Sequence, residues 1–200
     1  MNHHAPRTSA VLAALPETFT GDHVALGDIV AALRQRAFGF MILIFGLPNV
    51  LPVPPGIPTL CGLVLTFLSI QLLIGRTSIW LPERIMRRAV PRSVLLALAH
   101  RGGALVRRVE AVMRPRFEAA TGPVGRRIVA AIVLLLGVVL WLPFPVLGSL
   151  PPGIAVCLLG LGLIERDGIM VAAGAVAAVV AVAVTGGITV AIGMAGMSLF

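Results

Sequence analysis

The chain has no lysine, two cysteines, and few charges of either sign: Asp, Glu, Lys and Arg make up 12% of its 200 residues, beside 58% apolar content. Ordinary soluble domains carry about 25% charged residues, so this balance argues against one and points to a bilayer as the solvent. All 16 basic residues are Arg, which with the abundance of Ala, Val and Gly points to a GC-rich bacterial genome rather than to a mechanism. Cys61 and Cys157 lie inside apolar segments, away from any metal-ligand spacing, and are expected to be buried, reduced and inert.

Catalytic signatures are missing as well. The sequence has no Gly-x-Ser-x-Gly elbow, no P-loop and no His-Glu-x-x-His, and His3, His4, His23 and His100 all fall outside the apolar blocks. A glycosyltransferase needs acidic groups and a nucleotide-sugar domain for which this chain has no space. The expectation is a protein that is not an enzyme and needs no cofactor or metal. A pI near 11.7 raises the question of nucleic acid, but no zinc spacing, RNA-binding motif or basic helix-turn-helix pattern accompanies it, and anionic lipid headgroups are the better partner.

What is present is apolar sequence in blocks, with the charge gathered between them. Twelve of the 16 Arg fall between Arg76 and Arg127, against Glu83, Glu110 and Glu118, and the positive-inside rule makes that stretch cytoplasmic. Residues 1–20 read as a loose cytoplasmic tail. Residues 25–36 read as an amphipathic helix, with Leu26, Ile29, Val30 and Leu33 on one face and Asp28, Arg34 and Arg36 off it.

Phe38–Leu47 is apolar but short, and Pro48–Gly56 holds four prolines, including Pro48, Pro54 and Pro55. Ile57–Ile74 then gives 18 mostly apolar residues, about 27 Å of helix. Together they predict a re-entrant hairpin, or a broken helix followed by a span, over residues 25–76.

The segment 77–127 is basic, and from Arg92 to Arg116 its apolar residues fall on one helical arc with Arg92, Arg107, Arg108, Glu110 and Arg114 opposite. Such a helix lies in the headgroup plane or packs on the protein's own hairpins.

The second apolar block, 128–168, follows the plan of the first. Ile128–Leu142 is apolar, Pro143–Gly153 holds four prolines, and Ile154–Ile164 is apolar again; placing Pro54-Pro55-Gly56 over Pro151-Pro152-Gly153 also puts Pro48 over Pro145. Short, Pro/Gly-interrupted segments at matching places in two halves point to a site between repeats. The prolines and glycines of the breaks read as architecture, exposing backbone groups. Residues 169–184 read as a transmembrane helix and 185–200 as a looser apolar tail.

The fold class is therefore all-α: a polytopic helical membrane protein with two Pro/Gly-broken helical units, a basic interfacial helix and a C-terminal transmembrane helix. An oligomer is compatible with it.

A run of landmarks follows the chain in order: Leu26-Gly27-Asp28, Arg36, Phe38 and Gly39, Leu47-Pro48-Asn49, the Pro-Pro-Gly at 54–56, Gln71 with Leu72-Leu73-Ile74-Gly75-Arg76, and Trp80-Leu81-Pro82. Arg114-Pro115-Arg116, Thr121-Gly122-Pro123 and the specific string from Leu161 to Gly168 complete them. In this order they resemble the ExoD family of bacterial exopolysaccharide synthesis proteins. The resemblance covers residues about 21 to 184. It implies a multi-pass protein of the bacterial cytoplasmic membrane that affects exopolysaccharide production, and it brings no catalytic site or cofactor.

Glu165, Arg166 and Asp167 lie between apolar segments, where charge is costly unless paired or hydrated. They read first as a short cytoplasmic turn whose three charges face water, with Gly168 as its bend; the alternative makes Glu165 or Asp167 a proton or cation site and Arg166 a phosphate clamp. Arg34 and Arg36 anchor a helix end or hold an anionic headgroup. Asn49 caps freed backbone groups at the first break or coordinates a ligand there. The leading functional reading is the handling of an anionic, polyprenyl-phosphate-type lipid carrier. A small-ion or proton-coupled transporter and a scaffold for polysaccharide machinery are the alternatives.

Overall fold

The computed structural model describes residues 23–25, 27–28, 36–51, 54, 56–80, 89–91, 122–141 and 146–197. The chain divides into two compact units, Met1–Ala37 with Thr77–Arg114, and Phe38–Arg76 with Pro115–Phe200. In the first, β1 (His23–Ala25) pairs antiparallel with β2 (Ala89–Pro91), His23 opposite Pro91. This short ribbon is an addition to an otherwise helical fold among the described residues, and it takes Ala25 out of the helix expected over 25–36, of which Gly27 and Asp28 are helical. Val24 and Val90 face each other across it, and a β-branched pair suits a strand better than a helix. The helix expected from Arg92 to Arg116 and the side chain of Arg34 lie outside the described residues.

The second unit is helical. It contains α1 (Arg36–Gly46, whose first two residues belong to the other unit), a 3-10 turn at Leu47–Val50, α2 (Ile57–Leu73), α3 (Pro123–Trp141), α4 (Val146–Glu165) and α5 (Gly168–Met197). Pro48 opens the 3-10 turn, where its missing N–H costs nothing, and Gly56 turns the chain into α2 at φ 109°. Pro54 lies in this break; Pro55 is outside the described residues.

The second break is shorter than the proline pattern predicts. Pro151 and Pro152 lie inside α4 and Gly153 follows them in the helix, while Pro145 lies outside the described residues. Each proline gives up one i→i−4 bond, to the carbonyls of Leu147 and Gly148, yet the helix continues through them. The tail differs too: α5 runs unbroken through Gly186 and Gly187 to Met197, since two isolated glycines weaken a helix without ending it.

Pairing crosses between the hairpins. A Cβ placed on Gly39 of α1 would fall 2.9 Å from the Gly160 carbonyl oxygen of α4, and one on Gly160 would fall 3.1 Å from the Gly39 carbonyl oxygen. The same close approach joins α3 to α2: a Cβ on Gly137 would meet the Gly62 oxygen at 3.1 Å, and one on Gly62 the Gly137 oxygen at 2.7 Å. Small residues that let backbones touch are how helices pack when hydrocarbon surrounds them.

Gly39 and Gly137 are 98 residues apart, as are Gly62 and Gly160. Ile164, beside Gly39, and Thr66, beside Gly137, keep that spacing. The core around these crossings includes Phe38, Ile42, Leu65, Leu68, Val133, Leu136, Leu159 and Ile164.

Helix α5 packs along α4, with Leu159 against Gly174 and Val171 against Gly162. Outward faces are also apolar: Leu60 is 67% exposed and Val179 is 71% exposed. Pro123–Trp141 and Gly168–Gly187 are long and apolar enough to cross a membrane, by length and composition. Arg36–Val50, Ile57–Leu73 and Ser149–Glu165 are shorter apolar helices.

Candidate functional site

The polar chemistry of the helical unit gathers where α2 and α4 end and α3 and α5 begin. At the end of α2, Gly75 adopts φ 87°, its N–H reaches the Leu72 carbonyl at 3.0 Å, and the Arg76 N–H reaches the Gln71 carbonyl at 3.1 Å. These two bonds are a Schellman cap, which needs a left-handed residue and finds glycine there.

Helix α4 ends with the same longer bond, Asp167 N–H to the Gly162 carbonyl at 3.1 Å, but the left-handed position is Arg166, at φ 55°. A non-glycine residue pays about 1 kcal/mol or more for that conformation. Arg166→Gly is therefore expected to raise the melting temperature of the purified protein by roughly 2–4 °C, while removing a guanidinium from this end.

Asp167 is buried and turns the chain into α5. Its Oδ1 accepts a hydrogen bond from the Ile169 N–H at 2.8 Å, so it caps the first turn and satisfies one of its orphan donors. Asp167→Ala should cost about 1 kcal/mol, and Asp167→Asn much less, since an amide oxygen accepts the same bond. Thermal melts of the two variants check this. Glu165, half-buried, closes α4 with its Oε1 out of solvent. Of the turn expected here, with its three charges facing water and Gly168 as its bend, only Arg166 is exposed: Asp167 is buried, Glu165 is half-buried, and the left-handed residue is Arg166, with Gly168 already in α5.

Across from them, the first turns of α3 carry Arg126 and Arg127. The Arg126 guanidinium donates a long hydrogen bond, 3.4 Å, from Nη2 to the Arg76 carbonyl, and a Cβ on Gly75 would fall 3.6 Å from Arg127 Nη2. Arg126 and Arg166 are close enough for their charges to repel. Cations at a helix N-terminus also oppose the helix dipole. Arg126, Arg127 and Arg166 thus converge at one end of the unit, with the Arg76 main chain beside them, a concentration of planar donors suited to phosphate or carboxylate.

Of the residues expected from sequence, Glu165, Arg166 and Asp167 belong to this cluster. Arg36 opens α1. The Arg76 main chain, Arg126 and Arg127 are brought to the cluster by folding; their sequence signal was only membership of a long basic stretch. Among the described residues, no group of His, Cys, Asp and Glu could hold a metal ion.

Asn49 is elsewhere, at the inner end of the first hairpin. It is fully buried, its Nδ2 donates to the Phe45 carbonyl at 2.8 Å, and its Oδ1 has no hydrogen-bond partner. Its side chain neighbours the Cys61 thiol on α2, and Gly153 of α4 passes so close that a Cβ there would lie 2.8 Å from Asn49 Cβ. Both cysteines are free, Cys61 buried and Cys157 half-buried.

The sequence profile described as "Exopolysaccharide synthesis, ExoD" matches residues 8–187, which extends the resemblance beyond both limits drawn from the landmarks. Protein ExoD of Rhizobium meliloti (strain 1021) is 33% identical over 173 residues, covering 83% of this chain and 70% of that protein. An uncharacterized protein of Synechocystis sp. is 30% identical over 156 residues, 77% of this chain and 73% of its own length. No solved structure matches the chain. With a profile spanning nearly all of the sequence and a relative of this identity and coverage, the chain belongs to the exopolysaccharide synthesis family ExoD.

Proposed function

We propose that this chain serves exopolysaccharide synthesis as a multi-pass protein of the bacterial cytoplasmic membrane, holding the anionic headgroup of a polyprenyl-phosphate-type lipid carrier at the arginine end of its helical unit. The observation that carries the reading is the convergence of Arg126, Arg127, Arg166 and the Arg76 main chain from three separate places in the chain. Guanidinium forks match phosphate oxygens bidentately. The exposed aliphatic faces of α2, α3 and α5, with Leu60, Leu135 and Val179 among them, offer the surface along which lipid chains lie.

In this reading the two hairpins are copies of one unit about an axis parallel to the helices. The starts of α1 and α3 and the ends of α2 and α4 share the arginine end, and the proline breaks lie opposite. The positive-inside rule puts the arginine end on the cytoplasmic side. Helix α2, at 17 residues, is about 25 Å long, shorter than the hydrocarbon of about 30 Å, so its hairpin re-enters the membrane. The protein binds and presents lipid; it does not catalyse.

The test is flotation of purified protein with liposomes of neutral lipid, with and without a polyprenyl phosphate, together with polysaccharide output in a deletion strain complemented by wild type. Retention that depends on the polyprenyl phosphate, and restored output, support the reading. Equal retention on both liposomes rejects the carrier; unchanged output on deletion rejects the polysaccharide role.

A further inference from the structure

The two hairpins provide an internal comparison. Where the crossings match, at Gly39 with Gly137 and at Gly62 with Gly160, the fold needs the same residue twice. Elsewhere the matched positions differ in kind. At the same 98-residue spacing Cys61 answers to Leu159 and Thr66 to Ile164, and Asn49 answers to Leu147, or to Val146 at the 97-residue spacing of the prolines. Asn49, Cys61 and Thr66 thus stand where the second hairpin carries aliphatic residues, whereas Ser69 answers to the buried Asp167. The architecture does not demand Asn49.

Asn49 is also costly as it stands. Its orientation is set chemically, because Nδ2 is given to the Phe45 carbonyl, which can only accept. Oδ1 is therefore the atom that makes no hydrogen bond in a fully buried place, with the weak S–H donor of Cys61 beside the side chain. An orphaned buried acceptor costs about 1–3 kcal/mol, and conversion to Leu would remove it.

The α4 backbone passes over Asn49 just after two residues that have no N–H. Gly153 of α4 lies against the Asn49 main chain, with a Cβ there 2.9 Å from its carbonyl oxygen. Immediately before it, Pro151 and Pro152 have no N–H to return to the carbonyls of Leu147 and Gly148 four residues back. Oxygen acceptors in excess, at the end of the unit away from the arginines, call for a positively charged guest. No carboxylate is among the described residues from Gly39 to Gly46, Leu47 to Val50, Ile57 to Leu73 or Ser149 to Ile164. That argues against a divalent ion, which seeks carboxylates. Broken helices in membranes hold alkali cations by such neutral oxygens.

We propose that the Asn49 amide oxygen, with carbonyls freed by Pro151 and Pro152, binds a dehydrated monovalent alkali cation at the inner end of the first hairpin. The site is distinct from the arginine end. Cys61, beside Asn49, and Arg76 are 15 positions apart, about 22 Å along a helix, so the inference holds or falls apart from the headgroup reading.

The experiment is thermal unfolding of the full-length protein in detergent, at constant ionic strength, with choline chloride replaced stepwise by lithium, sodium or potassium chloride. Wild type should gain a saturable ~3–5 °C with one of the alkali ions at about tenfold over its Kd. Asn49→Leu, which copies the aliphatic character of the second hairpin and is expected to fold, should lose that gain. Asn49→Asp should bind the same ion roughly tenfold more tightly, because it adds a charge. A wild-type melting temperature identical in all four salts overturns the proposal and makes the guest of Oδ1 a water molecule. An ion-dependent gain that persists in Asn49→Leu also overturns it, by placing the cation elsewhere.

Discussion

Replacing Gly137 by Leu is expected to leave no folded protein in the membrane fraction, whereas Gly186→Leu should leave its yield unchanged. The two glycines lie in apolar helices of similar composition but in different surroundings. A Cβ on Gly137 would come 2.7 Å from Thr66 Oγ1, 3.1 Å from the Thr66 nitrogen and 3.1 Å from the Gly62 oxygen; one on Gly186 meets nothing within 4 Å. Two of the three atoms around Gly137 are backbone, so α2 and α3 must separate to admit any side chain. Overpacking of a well-packed contact costs about 1–3 kcal/mol for added methylenes, and Leu adds several. Gly137→Ala is the graded version: about 1–3 kcal/mol lost, partly offset by alanine's advantage of about 1 kcal/mol in a helix. Gly160→Leu, at the equivalent crossing, should behave as Gly137→Leu does. Fluorescence-detected size-exclusion of tagged variants distinguishes them, and a monodisperse Gly137→Leu at wild-type yield would mean that the glycine crossings do not hold the hairpins together.

Charge reversal of Arg126 and Arg166 together is expected to lower affinity for polyprenyl-phosphate liposomes by at least a thousandfold and to abolish complementation. Each hydrogen bond to a charged group contributes about 1.5–3 kcal/mol, or roughly ten- to a hundredfold per residue, and reversal adds repulsion. The double reversal keeps a like-charge pair where Arg126 and Arg166 repel, so size-exclusion of the variant separates lost binding from lost folding. Arg126→Lys keeps the charge but loses the fork, and should cost a smaller factor, roughly three- to tenfold. Raising salt should weaken wild-type binding as well, because the arginine end is partly solvent-accessible. Binding by the double reversal at wild-type strength would remove the headgroup from this end of the molecule.

Much of the helical plan was legible in the sequence because it rests on local chemistry. The apolar runs Ile57–Ile74 and Ile128–Leu142, Gly75 before Arg76, and Pro48 at the start of a turn each act within a few residues of themselves, and α2, α3 and the 3-10 turn fall on them. The misreadings came from the same habit. Pro151-Pro152-Gly153 looked like Pro54-Pro55-Gly56, yet one lies within a helix and the other spans a break, since each proline in α4 gives up one bond and the helix continues. Gly186-Gly187 looked like an end, and α5 passes through it. A three-residue strand such as His23–Ala25 has no signal of its own, because its partner is 66 positions away in Ala89–Pro91.

By itself, then, the sequence pointed to the family the chain belongs to, to its apolar arms, to the break at Pro48 and to the helix end at Gly75, because hydropathy and turn chemistry are properties of neighbours along the chain. Tertiary structure alone decided that α1 pairs with α4 and α2 with α3, that Arg126 reaches across to Arg76, and that Asn49 is sealed beneath Gly153. Those facts depend on which backbones approach within contact distance, and contacts between residues some 50 to 120 positions apart follow from the packing of whole helices, which no local pattern encodes.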